Sequence, residues 1–123
     1  MEEEIRWKVI DPLGNEVILK ESTFREHILG DHQMADAEYR KIAESQVKNV
    51  IVNPQIIIED EEDNARHIFY KIVLIPCVGE KIKRLTNLKI VVDTDRKPHQ
   101  IVTWMLPSKI KDKIMEEWII HAS

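Results

Sequence analysis

Between Gln55 and Leu106 the chain is built of four β-branched and aromatic runs, QIIIED, RHIFYKIVLI, LKIVVD and QIVTWML. They are joined only by EEDNA, VGEKIKRLTN and TDRKPH. Runs of this kind, bounded by charged or turn-forming residues, read as strands. Parallel neighbours need a crossover of a dozen or more residues, usually a helix, and none of these connections has room for one. The spacing therefore predicts a meander of consecutive antiparallel strands, and the rest of the chain has to pack around it.

Upstream, IRWKVIDPLGNEVILKE reads as two strands around the turn Asp11-Pro12-Leu13-Gly14-Asn15, where proline and glycine supply the turn geometry. Ser22 or Thr23 then caps a short helix with Phe24 and Ile28 four apart, and Gly30 is its expected terminator near Asp31. A second helix is expected from about Asp36 to Val52. Its apolar members Tyr39, Ile42, Ala43, Val47, Val50 and Ile51 recur at three and four, and Asn53-Pro54 stops it. At the other end, PSKIKDKIMEEWII begins with proline and repeats Ile110, Ile114 and Trp118 every four residues, the pattern of an amphipathic helix. The expected fold class is α+β: an N-terminal β-hairpin and two helices, then a three- or four-stranded antiparallel sheet and a C-terminal helix. A length of 123 residues suits one domain. Within it the hairpin covers 5–20, the core about 22–106 and the closing helix 107–120.

An apolar share of 43% beside 33% charged residues is that of a globular chain, and no window approaches a membrane span. The start MEEEIRWK lacks the features of a secretory signal, so a cytoplasmic location is the expectation. The single Cys77 has no internal disulfide partner and sits in an apolar run, as a buried thiol would. The net charge of −4 does not favour nonspecific polyanion binding. Its distribution is uneven: residues 1–77 carry 16 acidic and 9 basic side chains, against 6 and 9 in residues 78–123. Any nucleic-acid contact is therefore sought in the second part. There KIKRLTNLK offers Lys81, Lys83, Arg84 and Lys89 as substrate-steering cations, or simply a solvated hairpin. The acidic loop EDEEDN reads as a solvated turn.

The densest chemistry lies in TFREHILGDH. On a helix His27 and Asp31 are one turn apart at the rim of the buried face. A carboxylate there orients an imidazole for acid or base work near neutral pH. The plain alternative is a helix-end pair that bonds locally. His27 and His32, five apart, point to different sides of a helix, so no metal site is expected. Three glycines form no Walker or dinucleotide loop and no G-x-S-x-G elbow is present, so no cofactor is expected either. In the strands, alternation places Arg66, Ile68 and Tyr70 on one face, and Ile101, Thr103 and Met105 on one face. Arg66, Tyr70 and Thr103 together would offer a cation and hydroxyls to a phosphate. Alternatively Tyr70 sits at the core edge, Thr103 is a strand former and Arg66 snorkels.

The run from STFREHILGDH through the next helix to NPQIIIED, RHIFYKIVLI, LKIVVD and IVTW resembles the phage-encoded barnase–EndoU–colicin–RelE-like (BECR) nuclease group. The likeness covers about residues 22–106. It rests on His27, Ile28 and His32 in an H-I-x-x-x-H stretch, on Pro54 at the entry into the sheet, and on Ile101, Thr103 and Trp104 in a late I-x-T-aromatic strand. It implies a metal-independent ribonuclease fold of phage, toxin or mobile-element type, with His27, Arg66 or Tyr70, and Thr103 as active-site candidates. In that chemistry His27, held by Asp31, takes the proton of a ribose 2′-hydroxyl, Arg66 stabilises the added charge, and Tyr70 or His32 protonates the leaving 5′-oxygen. RNA and an antitoxin or immunity protein are the partners implied.

The rival expectation is a noncatalytic binding or accessory module of the same architecture, with an exposed apolar patch in place of a convergent site. A third is a small-molecule site between sheet and helices. Trp118 either packs on the sheet or forms a dimer contact, so the oligomeric state stays open.

Overall fold

The computed structural model describes residues 4–30, 34–60, 65–76, 83–107 and 119–122. Seven strands form one mixed sheet: β1 (Ile5–Ile10), β2 (Glu16–Lys20), β3 (Ile56–Glu59), β4 (Arg66–Pro76), β5 (Lys83–Asp93), β6 (His99–Met105) and β7 (Ile119–Ala122). Their order is β1-β2-β6-β5-β4-β3-β7. This corrects the expected fold class, a three- or four-stranded antiparallel sheet flanked by a hairpin and helices. The meander β3 to β6 is only the middle of a larger, strand-rich sheet, extended at both edges.

The two extensions have separate causes. The hairpin does not stand apart: β2 pairs in parallel with β6, Val17 opposite His99 and Ile18 opposite Gln100. The short-connection rule constrains consecutive strands, but here the crossover from β2 to β6 contains both helices and most of the meander. At the opposite edge Ile119 and Ile120, expected to end a helix, belong to β7, which pairs antiparallel with β3 through Ile58 and Ile119, Ile57 and His121, Ile56 and Ala122. Their β-branched side chains suit a strand, and the pairing satisfies backbone groups on the outer edge of β3. Residues 108–118 of the expected closing helix, Trp118 among them, and Cys77 lie outside the described residues.

A single α-helical turn, α1 (Glu21–Thr23), runs directly into a π-helical stretch, Phe24–Leu29, and the long helix α2 is Met34–Val52. Alternation divides the sheet residues between two faces. On one, Ala43, Val47, Val50 and Ile51 of α2 and Phe24 and Ile28 of the π-helix pack on Val17, Leu19, Phe69, Leu88, Ile90 and Trp104. On the other, Ile58, Ile68 and Tyr70 form a smaller cluster joined by Ile56 and Ile119. The Arg6 guanidinium ties β1 to this framework. It binds Glu44 of α2 and Glu21 of α1 and lies 3.8 Å from the Phe24 ring centroid.

Candidate functional site

Beyond Gln100, β6 loses β2 as a neighbour, because β2 turns into α1 and the π-helix. The π-helix instead packs against β6. A cleft of about 450 Å³ lies there, lined by Thr23, His27, Arg40, Asp93, Arg96 and Thr103 among others. His27 is exposed on the π-helix, whose apolar members Phe24 and Ile28 are buried. Phe24 rests against Trp104, ring centroids 6.1 Å apart, so the segment carrying His27 is seated on β6. π-Helical turns occur frequently at functional sites.

Arg40 is the residue that organises the cleft. It is only 4% exposed, and its Nη1 donates to Thr103 Oγ1 at 2.8 Å. Its own carbonyl accepts from the Trp104 indole nitrogen at 2.9 Å. The pair of bonds locks the first half of α2 to two adjacent residues of β6. A bulge lies beside this contact: Val92 opposes Ile101 while Val91 opposes Thr103, so Val102 is an extra residue in β6. It also corrects the expected alternation, since Ile101 joins Trp104 in the main core while Thr103, opposite Val91, turns to the cleft. At the cleft's rim the Arg96 guanidinium lies 3.8 Å from Asp93, and the Asp95 backbone N–H donates to Asp93 Oδ1.

The residues singled out from sequence fall in different places. His27 and Thr103 come together in the cleft. Arg66 begins β4 opposite Asp93, with β5 between it and β6. Tyr70 is 3% exposed in the Ile58–Ile68 cluster, opposite Lys89, and burial, with Asp60 second, pushes its hydroxyl pKa up. It is core rather than a solvent-facing acid. Lys83 and Arg84 are exposed at the opposite end of β5 from Asp93, about 30 Å away at 3.3 Å per residue. Lys89 is half-buried. Asp31, His32 and Lys81 lie outside the described residues. Arg40 was not singled out, yet its signal was present: it stands three residues before Ala43 and seven before Val47, on the buried stripe of α2.

A larger groove, about 570 Å³, is lined by Arg6, Glu21, Glu44 and Lys48. There Arg6 is already paired with both glutamates and Lys48 lies over the Trp7 ring. Among the described residues no three His, Cys, Asp or Glu side chains are grouped so as to hold a metal ion, and no helix is long and apolar enough to cross a membrane. No protein-family model, curated protein or solved structure matches the chain.

Proposed function

We propose that the cleft between the π-helix, α2 and β6 binds RNA and cleaves it without a metal, by attack of a ribose 2′-hydroxyl on the adjacent phosphate. The reading is supported by one observation above all: His27, Arg40 and Thr103, distant in sequence, line one solvent-open cleft. His27 takes the 2′-hydroxyl proton as O2′ bonds to phosphorus. Arg40, a cation at any working pH, and the Thr103 hydroxyl face the phosphate oxygens as negative charge builds on them. The bond to the 5′-oxygen breaks and that oxygen is protonated from the solvent side. The products are a 2′,3′-cyclic phosphate and a 5′-hydroxyl. Arg96 at the rim is a second anchor for the backbone.

The test is incubation with mixed-sequence RNA in excess EDTA, with fragments and cyclic-phosphate ends read out. The parent cuts, and His27→Ala loses about 100-fold to 10,000-fold, the usual contribution of a positioned acid–base group. A parent that leaves RNA intact, or a His27→Ala variant that cuts as well as the parent, overturns the reading. A second reading, an accessory module that docks a partner protein of antitoxin or immunity type, has its own observation. Ile72, Leu74 and Leu85 are all exposed, with Leu74 opposite Leu85, on neighbouring strands β4 and β5.

A further inference from the structure

Two histidines outside the cleft meet where the N-terminal hairpin joins the meander. His99 opens β6 and opposes Val17; with Ile18 and Gln100 this is the whole parallel ladder between β2 and β6. His67 of β4 opposes Val92 of β5, which in turn opposes Ile101 of β6. The two rings meet edge to face, centroids 6.0 Å apart at an interplanar angle of 88°. His99 is 5% exposed, and the Nδ1 atom of each ring is buried without a hydrogen-bond partner.

Charged groups around the pair come from the hairpin turn, from β3, from both sides of the β5–β6 turn, and from β2, where Glu16, paired with Lys8, lines a pocket with Lys97 and His99. Asp11, 4% exposed at the hairpin turn, has Oδ1 engaged by the backbone N–H groups of Leu13 and Asn15, both at 2.9 Å. Its Oδ2 lies 3.5 Å from Asn15 Nδ2. Glu59 opposes His67 from β3, while Asp93 at the end of β5 and Lys97 in the turn before β6 act on His99. The carboxylates pull the imidazoles towards protonation, but burial outweighs them. It holds both below the ordinary histidine range, helped by His99 acting on His67 and by Lys97 acting on His99.

We propose that the His67–His99 pair is a proton-operated joint, closed when both rings are neutral and loosened when either is protonated, releasing the short β2–β6 ladder while β4 and β5 stay paired. A first proton puts a cation against buried ring atoms that have no acceptor, and a second sets like charges about one ring contact apart. Local opening relieves both by admitting water, and the backbone ladder it breaks is two residues long, with Val17 leaving its place against the core. In the open state the rings titrate near the ordinary value of about 6.5, and in the closed state lower. Closure is therefore complete above about pH 6.5. As pH falls through that value the opening constant rises, by up to about tenfold per pH unit for each histidine, until the closed-state pKa is reached.

Amide hydrogen exchange, corrected for its intrinsic pH dependence, reads this directly. Between pH 7 and 5 the opening constant at residues 17–19 and 99–101 rises, by up to about tenfold per pH unit for each histidine, while that of Phe69 and Ile90 does not, and His67→Gln and His99→Gln each flatten the rise. An unchanged constant, an equal rise at Phe69 and Ile90, or variants that keep the parent's pH response each overturn the joint. If the variants do not fold, the parent decides: a rise in exchange at residues 17–19 and 99–101 that tracks imidazole midpoints below the ordinary value upholds the joint, and two independent midpoints at about 6.5 overturn it.

Discussion

At the scale of single residues, the cleft depends on a buried guanidinium that cannot shed its charge. Arg40 has to satisfy its donors inside the protein, and Thr103 Oγ1 at 2.8 Å is one acceptor it finds. Thr103→Val keeps the side-chain shape and removes that oxygen, so a buried cation loses a partner. The expected cost is about 1–3 kcal/mol, seen as a lower urea midpoint with an unchanged slope. Arg40→Lys preserves charge but not the planar fork that reaches Thr103 and, on the proposed function, a phosphate as well. Its folding is expected to suffer less than its RNA cleavage, so activity per folded molecule should fall while a urea titration still shows a cooperative transition. The legible part of the site was its polar side chains: exposed His27 and half-buried Thr103 were marked by residue type and by position in their runs. Arg40 was hidden because a lone arginine in a helix looks solvated unless it is checked against the apolar stripe beside it.

Among the elements, the π-helix sets where His27 stands, and Gly30 at its end shows how tightly it is wound. A Cβ at Gly30 would lie 2.7 Å from the Glu26 carbonyl oxygen and 3.1 Å from that of Arg25. Both are backbone atoms, so Gly30→Ala must displace the last turn of the segment carrying His27 and is expected to cost about 1–3 kcal/mol. Gly14 is different: its surroundings are open, but its φ is +87°. Gly14→Ala should lose about 1–2 kcal/mol through backbone conformation alone, and thermal melts of the two variants, with RNA cleavage alongside, separate the cases. Only Gly30→Ala should reduce cleavage beyond its effect on stability. Both glycines were legible as punctuation, as were the hairpin turn and the β-branched runs, because local chemistry dictates them. The parallel contact of β2 with β6 was not, since it is fixed by Val17 and Leu19 reaching a core assembled from distant residues. Nor was β7, whose two isoleucines serve a helix or strand pattern equally until the open edge of β3 decides.

For the molecule as a whole, a net charge of −4 draws no polyanion in by a general field, so if the cleft binds RNA as proposed, binding has to come from a few cations there. Two line it, Arg40 and Arg96. If these alone meet phosphates, the logarithm of the binding constant should fall with the logarithm of salt at a slope of about −1.4, from 0.7 per contact for a single strand. If the strand also runs over Lys83, Arg84 and Lys89 on β5, five contacts give about −3.5. The geometry favours the shallow slope, because Lys83 and Arg84 stand at the end of β5 opposite Asp93 and the cleft. A salt titration on the His27→Ala variant, which holds RNA without consuming it, measures the slope. Repeating it with Arg96→Ala should bring it to about −0.7, whereas Lys83→Ala should leave it unchanged. A steep parent slope that Lys83→Ala reduces would move the RNA path from the cleft onto the β4–β5 hairpin, and His27 would then stand away from the strand it is proposed to cut.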